Sequence, residues 1–180
     1  MPDPLYRNVM GAAFDAMPAI TRAVHNPDPE RHFVGRAQIR RGTNWLARQV
    51  ANWLKLPQPG DGVPIEVTIW RDGEDDVFTR NFDGSIFESR QFGEDTADGK
   101  RLMETIGPIT TRLRIEARHD GLNLHAERAY WLGIALPGWL TPTVHASERA
   151  YGGAHLFDVS VSLPLIGQLM AYRGRLVERR

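Results

Sequence analysis

Three charged side chains interrupt runs of the chain that otherwise alternate apolar with polar: Glu104, Arg128 and Glu148. The run at 154–163 puts Phe157, Val159, Val161 and Leu163 on one side, and the run at 143–151 does the same with Val144, Ala146, Glu148 and Ala150. The same alternation gives Leu122, Leu124, Ala126, Arg128 and Tyr130, then Ile109, Leu113, Ile115 and Ala117, then Leu102, Glu104 and Ile106. In a strand, residues two apart share a face, so the three charges are expected to point inward with their apolar neighbours. An unpaired buried charge is costly, so each must pair, meet a ligand or reach water. Such a polar patch, with Tyr130 and Tyr172 beside it, suits the head group of an amphipathic ligand. It also suits a carboxylate whose pKa is raised for acid–base work. The simpler alternatives are a structural Arg–Glu bridge, or a one-residue bulge that puts one of the charges outside. Trp139, just before Thr141-Pro142, is the aromatic placed to sit at an entrance.

The elements that carry these residues follow from the pattern. Asp3-Pro4 starts a helix with Leu5, Val9, Met10 and Ala13 on one face, and a second short helix begins near Pro18 and buries Ile20 and Val24. Asn26-Pro27-Asp28-Pro29 stops it. From His32 to Arg40 the period is two, with Phe33, Gly35, Ala37 and Ile39 on one side. Thr43 reads as the N-cap of a helix on which Trp45, Leu46, Gln49, Val50, Trp53 and Leu54 form a face, the two tryptophans being expected to pack on the core. Strands are expected near 63–71, 75–82, 86–92, 100–106, 109–118, 121–131, 143–151, 154–163 and 168–178, with hairpin turns at Asp72-Gly73, Asp83-Gly84 and Asp120-Gly121. Gly93–Gly99 reads as a polar loop, and Gly133–Pro142, apolar but broken by proline, as a packed loop or one helical turn.

These elements predict an α+β fold in one domain, 1–180. An antiparallel meander of about nine to ten strands curves into a half-barrel or open barrel, with the N-terminal helices and the tryptophan-bearing helix packed on it.

The motifs of nucleotide binding, α/β-hydrolase chemistry and zinc proteolysis are missing. The histidines are scattered: His119 and His125 flank one hairpin in a polar register, which predicts surface positions and no metal centre. There is no cysteine, which removes disulfides, thiolate metal sites and cysteine nucleophiles. Lys+Arg and Asp+Glu balance at 22 each, so neither a nucleic-acid partner nor a polybasic membrane tail is expected. No apolar run is long enough for a signal peptide or a membrane span, which predicts a cytoplasmic protein.

The chain resembles, nearly end to end, the bacterial family of uncharacterised domains called domain of unknown function 4166. The resemblance rests on Leu5-Tyr6 and Gly11-Ala-Ala-Phe14, then Gly35-Arg36-Ala37 and Arg41-Gly42 before the tryptophan helix. It continues through Pro64-x-x-Val67-Thr68, Phe82-Asp-Gly84, Ser89-Arg90-Gln91 and Glu104-x-x-Gly107-Pro108. It closes with Gly133-Ile-x-Leu-Pro137, Leu163-Pro-Leu-Ile-Gly167 and Tyr172-Arg-Gly174. The resemblance supplies no catalytic residue. It implies that similar domains can follow an NAD(P)-binding reductase-like domain, a link that this chain would make in trans.

Three functions fit these residues. The leading one is a non-catalytic binder, without cofactor, of a small hydrophobic or amphipathic molecule, its site drawn from Glu104, Arg128, Tyr130, Glu148, Tyr172 and Trp139. The second is an enzyme of cyclase, isomerase or hydrolase type, with Glu104 or Glu148 as base and Arg128 stabilising negative charge. The third is an interaction module, an accessory of a reductase or a homo-oligomer, for which Gly133–Leu140 would supply an exposed apolar patch.

Overall fold

The computed structural model describes residues 3–179. Eleven strands are present: β1 (Arg31–Arg41), β2 (Gly60–Asp72), β3 (Asp75–Phe82), β4 (Ser85–Thr96), β5 (Gly99–Ile106), β6 (Ile109–Arg118), β7 (Gly121–Trp131), β8 (Ile134–Ala135), β9 (Thr143–Tyr151), β10 (Ala154–Leu163) and β11 (Gly167–Glu178). The helices are α1 (Leu5–Met10), α2 (Ala12–Asp15), α3 (Ala19–Val24) and α4 (Trp45–Trp53), with one 3-10 turn at Gly138–Leu140.

The sheet is closed, where the sequence pattern predicted a half-barrel or open barrel. Strands β1 to β7 form an antiparallel meander; β7 then pairs with β9, β9 with β10, β10 with β11, and β11 with β1. Ten strands thus complete a barrel, and β8 pairs with the last two residues of β7 on the edge that β9 has left. Closure removes the unpaired N–H and C=O rows of two edge strands. It depends on the β1–β11 pairing, which joins Phe33 to Glu178 and Arg41 to Met170. Contacts so distant in the chain leave no mark in local periodicity.

Turn chemistry explains the hairpins. Asp83 and Gly84 both have positive φ, which matches the right-handed strand twist on either side. At Asp120-Gly121 the expected turn is displaced by one residue. His119 and Asp120 make the turn, and Gly121 is the first residue of β7, buried where a Cβ would collide with the Glu148 carbonyl oxygen. The 93–99 segment is not a loop either: β4 and β5 stay paired out to Thr96 and Gly99.

Alternate hairpin ends define two ends of the barrel. At one, α1–α3 close the floor: Leu5, Tyr6, Phe14 and Met17 pack against Leu102, Leu113, Leu122 and Leu124. At the other, α4 lies across the rim between β1 and β2. Its N-cap is Asn44, one residue past the expected Thr43, with the Asn44 side chain accepting from the Leu46 N–H. The buried face of α4 corrects the sequence reading. Ala47 and Ala51 are fully buried, with Val50 and Leu54 beside them, whereas Trp45 is 64% and Trp53 62% exposed. At 3.6 residues per turn, residues 47, 50, 51 and 54 share one stripe, and small alanines let the helix lie close to the strands. Size alone had pointed to the tryptophans.

Candidate functional site

The barrel encloses a cavity of about 420 Å³. Its wall is chiefly apolar, supplied by inward residues of nearly every strand, among them Val67, Phe78, Leu113, Leu124, Ala146 and Val159. Ligand pockets for small molecules run to about 300–1,000 Å³, and an engineered cavity of about 150 Å³ already takes benzene. The wall includes the exposed Trp53 and the partly exposed Trp131, whose rings stack with centroids 6.0 Å apart, so the cavity reaches the surface at the α4 end.

Polar groups in the lining form two clusters. On the floor, Glu148 receives two imidazoles on one carboxylate oxygen: His25 Nε2 lies 2.6 Å and His155 Nε2 3.3 Å from Oε2. His25 in turn is stacked under the Tyr6 ring, with centroids 3.8 Å apart. Both imidazoles point at the same oxygen, so the trio closes on itself. Among the described residues no group of three or more acidic or imidazole side chains is placed to hold a metal ion. On the β3–β5 wall, Arg80 donates to Ser89 Oγ at 2.8 Å and lies 3.8 Å from Glu104, which also accepts from Gln91 at 3.1 Å. The Arg80 guanidinium sits over the Phe78 and Phe87 rings, a contact that partly offsets its desolvation.

The electrostatics separate these groups by role. Burial would push the Glu148 carboxyl up, but the charge on His25 and the hydrogen bonds from His155 and His25 outweigh it. The group therefore lies well below the usual carboxylate range. Glu148 is an ionised acceptor, the reverse of the raised carboxylate expected for a general base. Tyr172 is shifted up to about 12 by burial and by the nearby Glu104 and Glu148, against the opposing pull of Arg80. It is a neutral phenol at physiological pH.

Of the six residues singled out from the sequence, the fold brings Glu104, Glu148 and Tyr172 to the cavity and leaves three outside. Arg128 is exposed, its guanidinium 5.9 Å from the Tyr130 ring. The cause is a bulge in β7: Arg112 pairs with Arg128 but Leu113 pairs with Ala126, so Glu127 is the extra residue. Beyond it the register inverts. Ala129 and Trp131 face inward, while Arg128 and Tyr130 face out. Trp139 is 65% exposed on the 3-10 turn and does not line the cavity. An enzymatic reading in which Arg128 stabilises charge opposite Glu104 or Glu148 is therefore excluded by geometry. Arg128→Ala is expected to change stability by less than about 0.5 kcal/mol, checked by urea denaturation, and to leave cavity binding intact.

Two floor residues were missed. His155 continues the inward series two residues before Phe157, so the alternation itself contained it. His25 follows a short helix and precedes Asn26-Pro27, where no periodicity marks burial. The surface expectation holds for His119; His125 lies outside the barrel beside His145, their Nδ1 atoms 3.1 Å apart.

The molecule is thus an up-and-down antiparallel barrel with an interior apolar cavity and a charged floor. Residues 17–176 match the family described as Domain of unknown function (DUF4166), and the chain belongs to that family. Neither the curated proteins nor the solved structures compared with it contain a match.

Proposed function

We propose that the protein binds, without transforming it, a small amphipathic molecule whose apolar body fills the barrel and whose polar group meets Tyr172, Gln91 and the charged floor. The observation that carries this reading is the cavity itself: an open, mostly apolar space of about 420 Å³ whose charged side chains are held in two clusters, one on the floor and one on the β3–β5 wall. Jigsaw packing would fill such a space in a purely structural barrel, because voids forfeit dispersion contacts. A neutral Tyr172 donor favours ligands that carry an acceptor oxygen, and the ionised Glu148 disfavours a bare carboxylate placed beside it.

Native mass spectrometry of the purified protein, compared with its denatured mass, tests the proposal. The expected result is a retained small-molecule adduct, or saturable uptake of phenyl-naphthylamine with energy transfer from the tryptophans at the opening. A protein that neither retains an adduct nor takes up the fluorophore refutes the reading. Tyr172→Phe is expected to weaken an acceptor-bearing ligand by roughly two- to tenfold, the worth of one hydrogen bond, while leaving uptake of the purely apolar fluorophore unchanged.

A further inference from the structure

The two ends of the barrel differ sharply in surface chemistry. At the open end the connections are residues 42–59, 83–84, 107–108, 132–142 and 164–166, and they carry Arg48, Lys55 and a single carboxylate, Asp83. The closed end is acidic: Asp3, Asp15, Asp28, Glu30, Glu74, Asp98 and Asp120 stand against Arg7, Arg22 and Arg179 in its helices, turns and the segment after β11. A net charge of zero conceals this division.

Large exposed apolar side chains follow the same division. Trp45, Trp53, Leu132, Ile134, Trp139 and Leu165 all protrude at the open end, Leu165 being 89% exposed, while Tyr151 and Val177 are the only such residues described at the other. They come from three separate connections around the opening rather than from one flat face. The wall is also parted there. The β7–β9 ladder runs only from Gly121 to His125, and above it β7 pairs with β8 instead. The cavity lining reaches Pro142 and Val144 on one side of this parting and Trp131 on the other.

We propose that this rim docks on the surface of an anionic lipid bilayer, so that the cavity opens onto the lipid. Tryptophans favour the level of the head groups, and exposed cations add electrostatic attraction to an anionic leaflet. Arg48 and Lys55 are exposed and form no ion pair with any described residue, so they are available to lipid phosphates. The rim is continuous with an apolar cavity, which gives a poorly soluble ligand a path that avoids water. A protein partner would more naturally meet one contiguous face.

The inference goes beyond the binding reading and is tested without ligand, by co-sedimentation of the whole chain with phosphatidylcholine vesicles containing or lacking phosphatidylglycerol at low salt. The wild-type protein should partition onto the anionic vesicles. Leu132→Ser/Trp139→Ser/Leu165→Ser, which touches no cavity-lining residue, should lose roughly tenfold or more of that partitioning and still take up phenyl-naphthylamine in solution. Arg48→Glu/Lys55→Glu should lose roughly fivefold per charge on anionic vesicles only. Absence of wild-type partitioning, or a triple variant that partitions as well as wild type, overturns the proposal. So does a concentration-dependent dimer in sedimentation velocity that the triple variant abolishes while no vesicle binding is seen, since the rim would then join two copies of the chain. Fluorophore uptake without vesicle binding would refute the docking surface and leave the cavity reading intact.

Discussion

Glu148→Ala is expected to cost about 3–5 kcal/mol of unfolding free energy, the largest loss from any single floor substitution. The carboxylate accepts from two imidazoles that are each 2% exposed, so its removal leaves both without their shared partner. Urea denaturation measures the loss. Glu148→Leu combined with His25→Phe should cost less than the sum of the two single changes, because the pair removes the charge and its partner together. Additivity within about 0.5 kcal/mol would show that the groups are not coupled.

The same carboxylate makes a pH prediction with a definite sign. Its folded-state pKa lies below the unfolded value of about 4.3, so its contribution is fully present above that value and is lost as the pH falls through it toward the folded pKa. Asp76 works the other way: burial raises it despite Arg71, so its contribution favours the fold at low pH and fades as the pH rises. Comparing wild type with Glu148→Gln between pH 7 and pH 3 isolates Glu148. The gap between their urea midpoints should narrow below about pH 5, and a gap that widens with acid would contradict the assigned direction.

Ala146→Phe is the second large effect. Ala146 faces inward from β9 between its ladder partners Leu124 on β7 and Val159 on β10, and all three line the cavity. A phenyl ring there occupies the space assigned to the ligand's apolar body. Uptake of phenyl-naphthylamine should weaken tenfold or more, at least about 1.4 kcal/mol of binding free energy. Because the ring enters existing space, the stability change should stay within the overpacking range of about 1–3 kcal/mol, and relief of the void works against it. A folded variant with unchanged uptake would place the fluorophore elsewhere, on the rim, and would count against the cavity as its site.

The two predictions rest on groups that were unequally legible in the chain. Glu104 and Glu148 were visible as charged residues in inward registers, and the register held because β5 and β9 run regularly through those positions; Tyr172 was named only as their neighbour, with no register read for its strand. Arg128 and Tyr130 were read by the same rule on β7 and came out reversed, since one inserted residue, Glu127, inverts every face beyond it. A bulge is decided by how two strands meet, which one strand's pattern does not contain. The α4 tryptophans went astray for a related reason: a helix stripe of alanines is silent when hydrophobic size is used as the guide.

What the sequence determined by itself was local. Alternation, helix caps and the glycines and aspartates of the turns placed most of the strands and the longest helix within a few residues, because those signals act between near neighbours. Tertiary structure decided what depends on distant partners. The β1–β11 ladder closed the barrel, α1–α3 brought His25 beneath the cavity, and Glu148 and His155 met it there from β9 and β10. Only that assembly turned three scattered polar residues into one buried network. Only closure set the apolar, cation-bearing loops together at one end of the barrel.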